Sequence, residues 1–154
     1  HFDHSGSAKF LRRRYRVRIG IHRGDASGQR SLKSRGMVGA LLAAGSRINR
    51  GDQQHLMPDI SLEGGRSLRE FGIDAEIIHL PGHPMGSIGV LVEGDQLIAG
   101  DTLMNFVAPS AAHIAEDFRM LGASLDKLAS YPIRIIYPGH GRSFAPSWLR
   151  HQRV

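Results

Sequence analysis

Three segments of this chain end an apolar, β-rich run on a glycine and then present a side chain able to hold a cation. They are Leu80-Pro81-Gly82-His83 after Glu76 to Leu80, Gly100-Asp101-Thr102 after Gln96 to Ala99, and Tyr137-Pro138-Gly139-His140 after Ile133 to Tyr137. Each places its imidazole or carboxylate just past the C-terminal end of an expected strand. Glycine-bearing loops of that kind gather along one edge of a sheet, where residues distant in sequence converge. A fourth segment, His1-Phe2-Asp3-His4, stands immediately before a helical stretch. Imidazole and carboxylate together form a ligand set for Zn²⁺ and similar ions. Singly, each segment has an ordinary reading. Pro-Gly marks turns, Gly-Asp-Thr serves as a turn or a helix cap, and a terminal His-Phe-Asp-His can simply be surface. The order and strand-end placement of all four are what constrain the chain.

The remaining pattern fits that frame. Residues 5 to 14 read as a short helix, with Ser5-Gly6-Ser7 available to cap its first turn. Val17, Ile19 and Ile21 alternate with Arg16, Arg18 and Gly20 as a half-buried strand. Residues 26 to 56 carry the weakest pattern, with Met37 to Ala44 helical between Gly36 and Gly45. Ile60 and Leu62 precede a Glu63-Gly64-Gly65 turn. Ser87 to Val92 and Gln96 to Ala99 flank Glu93-Gly94-Asp95 as a hairpin. Ile114, Phe118, Leu121, Leu125 and Leu128 recur at helical spacing, which predicts an amphipathic helix over 111–130, stopped by Pro132. Strands alternating with outer helices give an α/β layered class.

Composition narrows the chemistry. The 154 residues, 41% of them hydrophobic, suit one soluble domain spanning 1–154. No apolar run nears the roughly 18 residues of a membrane span, so no membrane partner is expected. The chain opens on His1 rather than Met, so the lack of a signal pattern leaves localisation open, with a cytoplasmic location as the default expectation. Without cysteine, thiolate ligands and thiol nucleophiles are excluded. The net charge of +6 concentrates in residues 9 to 35, where Lys9, Arg12, Arg13, Arg14, Arg16, Arg18, Arg23, Arg30, Lys33 and Arg35 face Asp25 alone. Such a cluster can recruit acidic partners, but a solvated face is the commoner outcome. Few aromatic residues are interleaved there to stack bases, so nucleic acid is not the expected partner.

In sequence order, His-Phe-Asp-His-Ser-Gly, Pro-Gly-His-Pro-Met-Gly-Ser-Ile-Gly, Ala-Gly-Asp-Thr-Leu and Tyr-Pro-Gly-His-Gly resemble the metallo-β-lactamase superfamily over essentially the whole chain. The resemblance implies an αββα sandwich. It also implies two metal positions, with Zn²⁺ expected and Fe or Mn as alternatives. His1 and His83 would serve the first, Asp3, His4 and His140 the second, and Asp101 would bridge both. The family pattern begins His-x-His-x-Asp-His, so its first histidine would lie two positions before His1. The chain is therefore expected to be N-terminally truncated, with the first sheet strands missing. An exposed apolar face is expected in consequence, covered either by upstream sequence or by homo-oligomerisation.

The implied activity is hydrolysis of an ester, thioester, lactone or lactam by a hydroxide shared between the metals, with a small molecule as substrate. Asp101 and Asp3 are the implied catalytic carboxylates. The aspartate in Gly-Asp-Thr-Leu resembles glyoxalase II-like thioesterases and lactonases, and the lack of cysteine sets aside lactamases that use one there. The Asp3-His4 pair disfavours the flavodiiron branch. A phosphodiesterase or nuclease, an iron persulfide dioxygenase, and a non-catalytic scaffold that only binds a ligand or partner remain open. His22 and His79 are read as loop and strand residues, and His55, His113 and His151 as background.

Overall fold

From Ala75 onward, alternating apolar and polar residues build a mixed five-stranded sheet. The computed structural model describes residues 2–26, 32–48 and 57–151, so His1 lies outside the described residues. In chain order these form α1 (Phe2–Ser5), α2 (Ala8–Tyr15), β1 (Gly20–Ile21), β2 (Lys33–Ser34), α3 (Gly36–Ile48), β3 (Ile60–Ser61) and β4 (Ala75–His79). β5 (Ile88–Val92), β6 (Gln96–Asn105), β7 (Pro109–Ala111), β8 (Ile114–Ala115), α4 (Phe118–Ala129) and β9 (Ile135–Gly141) follow. Short 3₁₀ turns occupy Arg23–Asp25, Arg69–Phe71 and Pro146–His151.

β4 and β5 pair antiparallel from Ala75↔Val92 to His79↔Ile88. The expected hairpin joins β5 to β6 through Glu93-Gly94-Asp95, with Glu93 (φ 51°) and Gly94 (φ 78°) both left-handed at the centre of a turn closed by Asp95 N donating to Val92 O. β9 runs parallel to β6 from Gln96↔Ile135 to Asn105↔Gly141. β5 and β7 therefore share the other edge of β6. Two small sheets pair β1 with β3 and β2 with β8.

The core lies between this sheet and α4. Leu97, Ala99 and Leu103 of β6 and Ile136 of β9 cluster with Leu125 and Leu128 of α4. Burying each such leucine contributes about 1.5–3 kcal/mol. On the opposite face Ile77 is buried while Ile98 and Tyr137 are exposed. No helix among the described residues is long and apolar enough to cross a membrane.

Three local expectations are corrected. The helix begins at Phe118 rather than 111, because Asp117 accepts from Arg119 N and Met120 N at 2.7 and 3.0 Å. Those two amides, Met120 foremost, hold its carboxyl below the usual range, and Ile114 and Ala115 are claimed by pairing with β2. The strand expected over 17–21 shrinks to Gly20–Ile21. Helix 5–14 divides at Gly6–Ser7 into α1 and α2, and Ser7 makes no side-chain cap.

The loop after β4 is held from two sides. On one, Gly82 (φ 140°) lies so close to the Leu121 backbone that a Cβ would sit 2.6 Å from its Cα. Ser124 Oγ donates to Pro81 O at 2.8 Å, and Glu116 Oε2 accepts from Met85 N at 2.9 Å. On the other, His79 Nε2 donates to Met85 O at 2.9 Å, and Asp25 accepts from Gly86 N at 2.8 Å. The His79 ring stacks on His22 at 4.0 Å. His22 accepts from Gly24 N at Nδ1, which puts its proton on Nε2, 3.2 Å from Glu63. Burial, and then His79, push the His22 pKa down against the opposing pull of Glu63 and Asp25.

Two outcomes are expected. Gly82→Ala should cost about 1–3 kcal/mol or more in urea unfolding, since it combines a forbidden φ with a backbone clash. His22 should add stability that is complete above its ordinary pKa of about 6.5 and is lost as pH falls through its lower folded value. In that window the unfolded chain binds the extra proton. Urea midpoints measured from about pH 8 to pH 5 should fall on acidification, and His22→Phe should flatten the slope. An identical slope in the variant would assign the effect to another group.

Candidate metal centre

Asp101 is the pivot of the site. It does not lie past the end of its strand, as the sequence pattern predicts, but inside β6, where pairing with β9 is interrupted on both sides of Gly100. Gly100 is left-handed at φ 53°, and a bulge of this kind re-aims the following side chain. The result is a carboxylate with only 8% side-chain exposure. The neighbouring backbone approaches closely at Gly139, where a Cβ would strike Asp101 Oδ1. This is the physical reason for glycine in Pro138-Gly139-His140.

Three imidazoles face that carboxylate from separate elements. His4 Nε2 of α1 lies 2.9 Å from Asp101 Oδ2. His140 Nε2 lies 3.5 Å from Oδ1, and His83 Nε2 lies 3.6 Å from Oδ2. His140, like Asp101, sits within its strand rather than beyond it. The following Gly141, at φ 93°, packs so tightly on Asn105 O that a side chain would collide. Asp3, next to His4 on the single turn of α1, brings Oδ2 within 3.3 Å of His140 Nε2. One ligand atom from each of Asp3, His4, Asp101 and His140 fits within 4.8 Å of all the others. His83 joins through Asp101.

The donor set suits a divalent cation. His83 is buried and donates from Nδ1 to Ile114 O at 2.6 Å. In the neutral ring, that bond leaves Nε2 as the lone-pair nitrogen, turned toward a carboxylate oxygen. A backbone carbonyl fixing the tautomer in this way is the usual support for a metal-ligating histidine. Two carboxylates and three imidazoles with lone pairs converging on one small volume repel each other unless protons or a cation intervene.

Five of the six residues singled out in the sequence are thus brought together, and the sixth, His1, lies outside the described residues. Phe106 was not anticipated. Its ring stacks against His140 at 5.7 Å and 20°, and no sequence pattern marks a loop aromatic for that place. The His22–His79 stack was likewise not legible, because it joins residues 57 positions apart. The basic stretch is partly engaged within the protein. Arg12 pairs with Asp59 at 2.5 Å, while Arg18 and Arg35 lie over the Phe71 and Phe118 rings.

Known proteins give the same frame. A crystal structure of TTHA1623 in a di-iron-bound form matches with a TM-score of 0.70 and 28% identity over 98% of this chain and 71% of that one. An archaeal metallo-β-lactamase superfamily protein from Sulfolobus tokodaii matches at TM-score 0.70 and 20% identity, covering 94% and 60% of the two chains. These likenesses show the metallo-β-lactamase fold. Among curated proteins, a hydroxyacylglutathione hydrolase of Shewanella pealeana is 32% identical over 105 residues. That stretch is 68% of this chain, which spans 30% of the length of that relative. The model of the metallo-beta-lactamase superfamily matches residues 1–140, through all four ligand-bearing segments, and the chain belongs to that superfamily.

Proposed function

We propose that the protein is a metal-dependent hydrolase of a small ester, thioester or lactone. The observation that carries this reading is the convergence of Asp3, His4, Asp101 and His140 around one point, with His83 on the far side of Asp101. In it, Asp3, His4 and His140 would hold one cation, His83 would serve the other position, and Asp101 would be shared between them. His1 is proposed beside His83, at the first of the two positions named above, on sequence grounds alone. Bound divalent cations supply a Lewis-acidic centre that lowers the pKa of water and polarises an attacked carbonyl.

The chain's own residues do the positioning. Asp101 is fixed by the bulge at Gly100 and by the β9 backbone against it. His83 is held in one tautomer by Ile114 O. Asp3 and His4 are more exposed than Asp101 and form a solvent-facing side of the site. The hydroxyacylglutathione hydrolase relative supports a thioester or related acyl substrate. The di-iron form of TTHA1623 supports trying iron alongside zinc.

Asp101→Ala is expected to weaken metal binding by more than about 100-fold, since the loss of outer-shell partners alone costs 10–100-fold. Hydrolysis across a panel of thioester, lactone and phosphodiester substrates should fall to background with far-UV circular dichroism unchanged. Metal analysis by plasma mass spectrometry checks the first effect. Wild-type metal content in the variant would remove Asp101 from the site. Turnover of phosphodiesters but no acyl substrate would replace the proposed reaction.

A further inference from the structure

We infer that Phe106 and Val107 form an apolar subsite beside the metal centre, which receives the hydrocarbon part of the acyl group being cleaved. The inference rests on the hydrolase reading and names the substrate class it leaves open. Its basis is the three-residue connection Phe106-Val107-Ala108 between β6 and β7. Phe106 is 61% exposed and Val107 is 100% exposed, yet the Phe106 ring is not adrift. It lies 5.7 Å from the His140 ring at 20°, one residue beyond the strand whose Met104 and Asn105 pair with His140 and Gly141.

Both ends of the connection are anchored. Asn105 Nδ2 donates to Arg142 O at 2.9 Å, and Arg142 N donates to Asn105 O at 3.2 Å. On the other edge, Asn105 pairs with Pro109, whose ring restricts the backbone further. A short connection pinned at both ends keeps its aromatic ring at the site without needing to bury it.

The chemistry of the segment selects the ligand. Residues 103–109, Leu-Met-Asn-Phe-Val-Ala-Pro, contain no charged side chain, although 22% of the chain is charged. These seven residues offer no charged side chain to the anionic oxygens of a phosphodiester. An alkyl or aryl acyl group would instead cover the exposed ring and the valine, removing apolar surface from water as its carbonyl reaches the ligand cluster. Isolated exposed apolar residues are common. Phe106 differs in being stacked against a residue of the site, with Val107 next to it in the same short connection.

Binding provides a test that does not depend on turnover. Octanoate and acetate, the carboxylate products of long and short acyl substrates, are titrated into the zinc-loaded protein and followed by NMR. Octanoate is expected to bind about 10-fold more tightly, Phe106→Ala to remove most of that difference, and Phe106→Leu to retain it. Metal content should be equal in all three proteins. Equal affinity for the two acids in the wild type, or an equal loss of both in Phe106→Ala, would overturn the inference. Octanoate preference without hydrolysis of octanoyl esters would support the subsite while defeating the hydrolase reading.

Discussion

A carboxylate with almost no exposure to water, set against imidazoles from three distant parts of the chain, is the constraint around which this molecule is arranged. Asp101 lies 2.9–3.6 Å from the nearest nitrogens of His4, His83 and His140. An ionised carboxylate out of water is costly unless it is compensated, and the imidazole nitrogens around Asp101 compensate it only through protons or a cation held between them. The bulge at Gly100 and the bare backbone at Gly139 follow from that need. One turns the carboxylate toward the site, and the other lets the neighbouring strand approach it.

The support beneath the site is as specific as the site itself. The loop bearing His83 meets α4 through Gly82 and Ser124. It meets the 22–25 segment through the His79–His22 stack and Asp25. A ligand on a loop is normally mobile. Here the loop is tied to a helix that belongs to the hydrophobic core and to the stacked His22–His79 pair, so core packing and site geometry depend on one another. The exposed Ile98 and Tyr137 belong to the same sheet and take part in none of these ties.

Much of this was legible in advance, and the misses have physical causes. The Glu93-Gly94 hairpin was readable because its turn needs two left-handed residues. The start of α4 was misjudged because the spacing from Ile114 continues the helical period, while strand pairing with Lys33 and Ser34 claims that residue. Asp101 and His140 were expected past their strand ends because glycine reads as a terminator. In the fold, Gly100 marks a bulge and Gly139 a close approach, so both strands continue.

Sequence by itself singled out the ligand-type residues that the fold brings together, because four glycine-bearing or terminal segments with imidazole and carboxylate recur in order. It determined the α/β class as well, through the period of its apolar residues. Only the tertiary structure decided which of those groups share one small volume, which tautomer His83 takes, and that Phe106 stands beside His140. The register of β6 against β9 and the approach of α4 to Gly82 are set by packing between segments tens of residues apart, which no local pattern encodes.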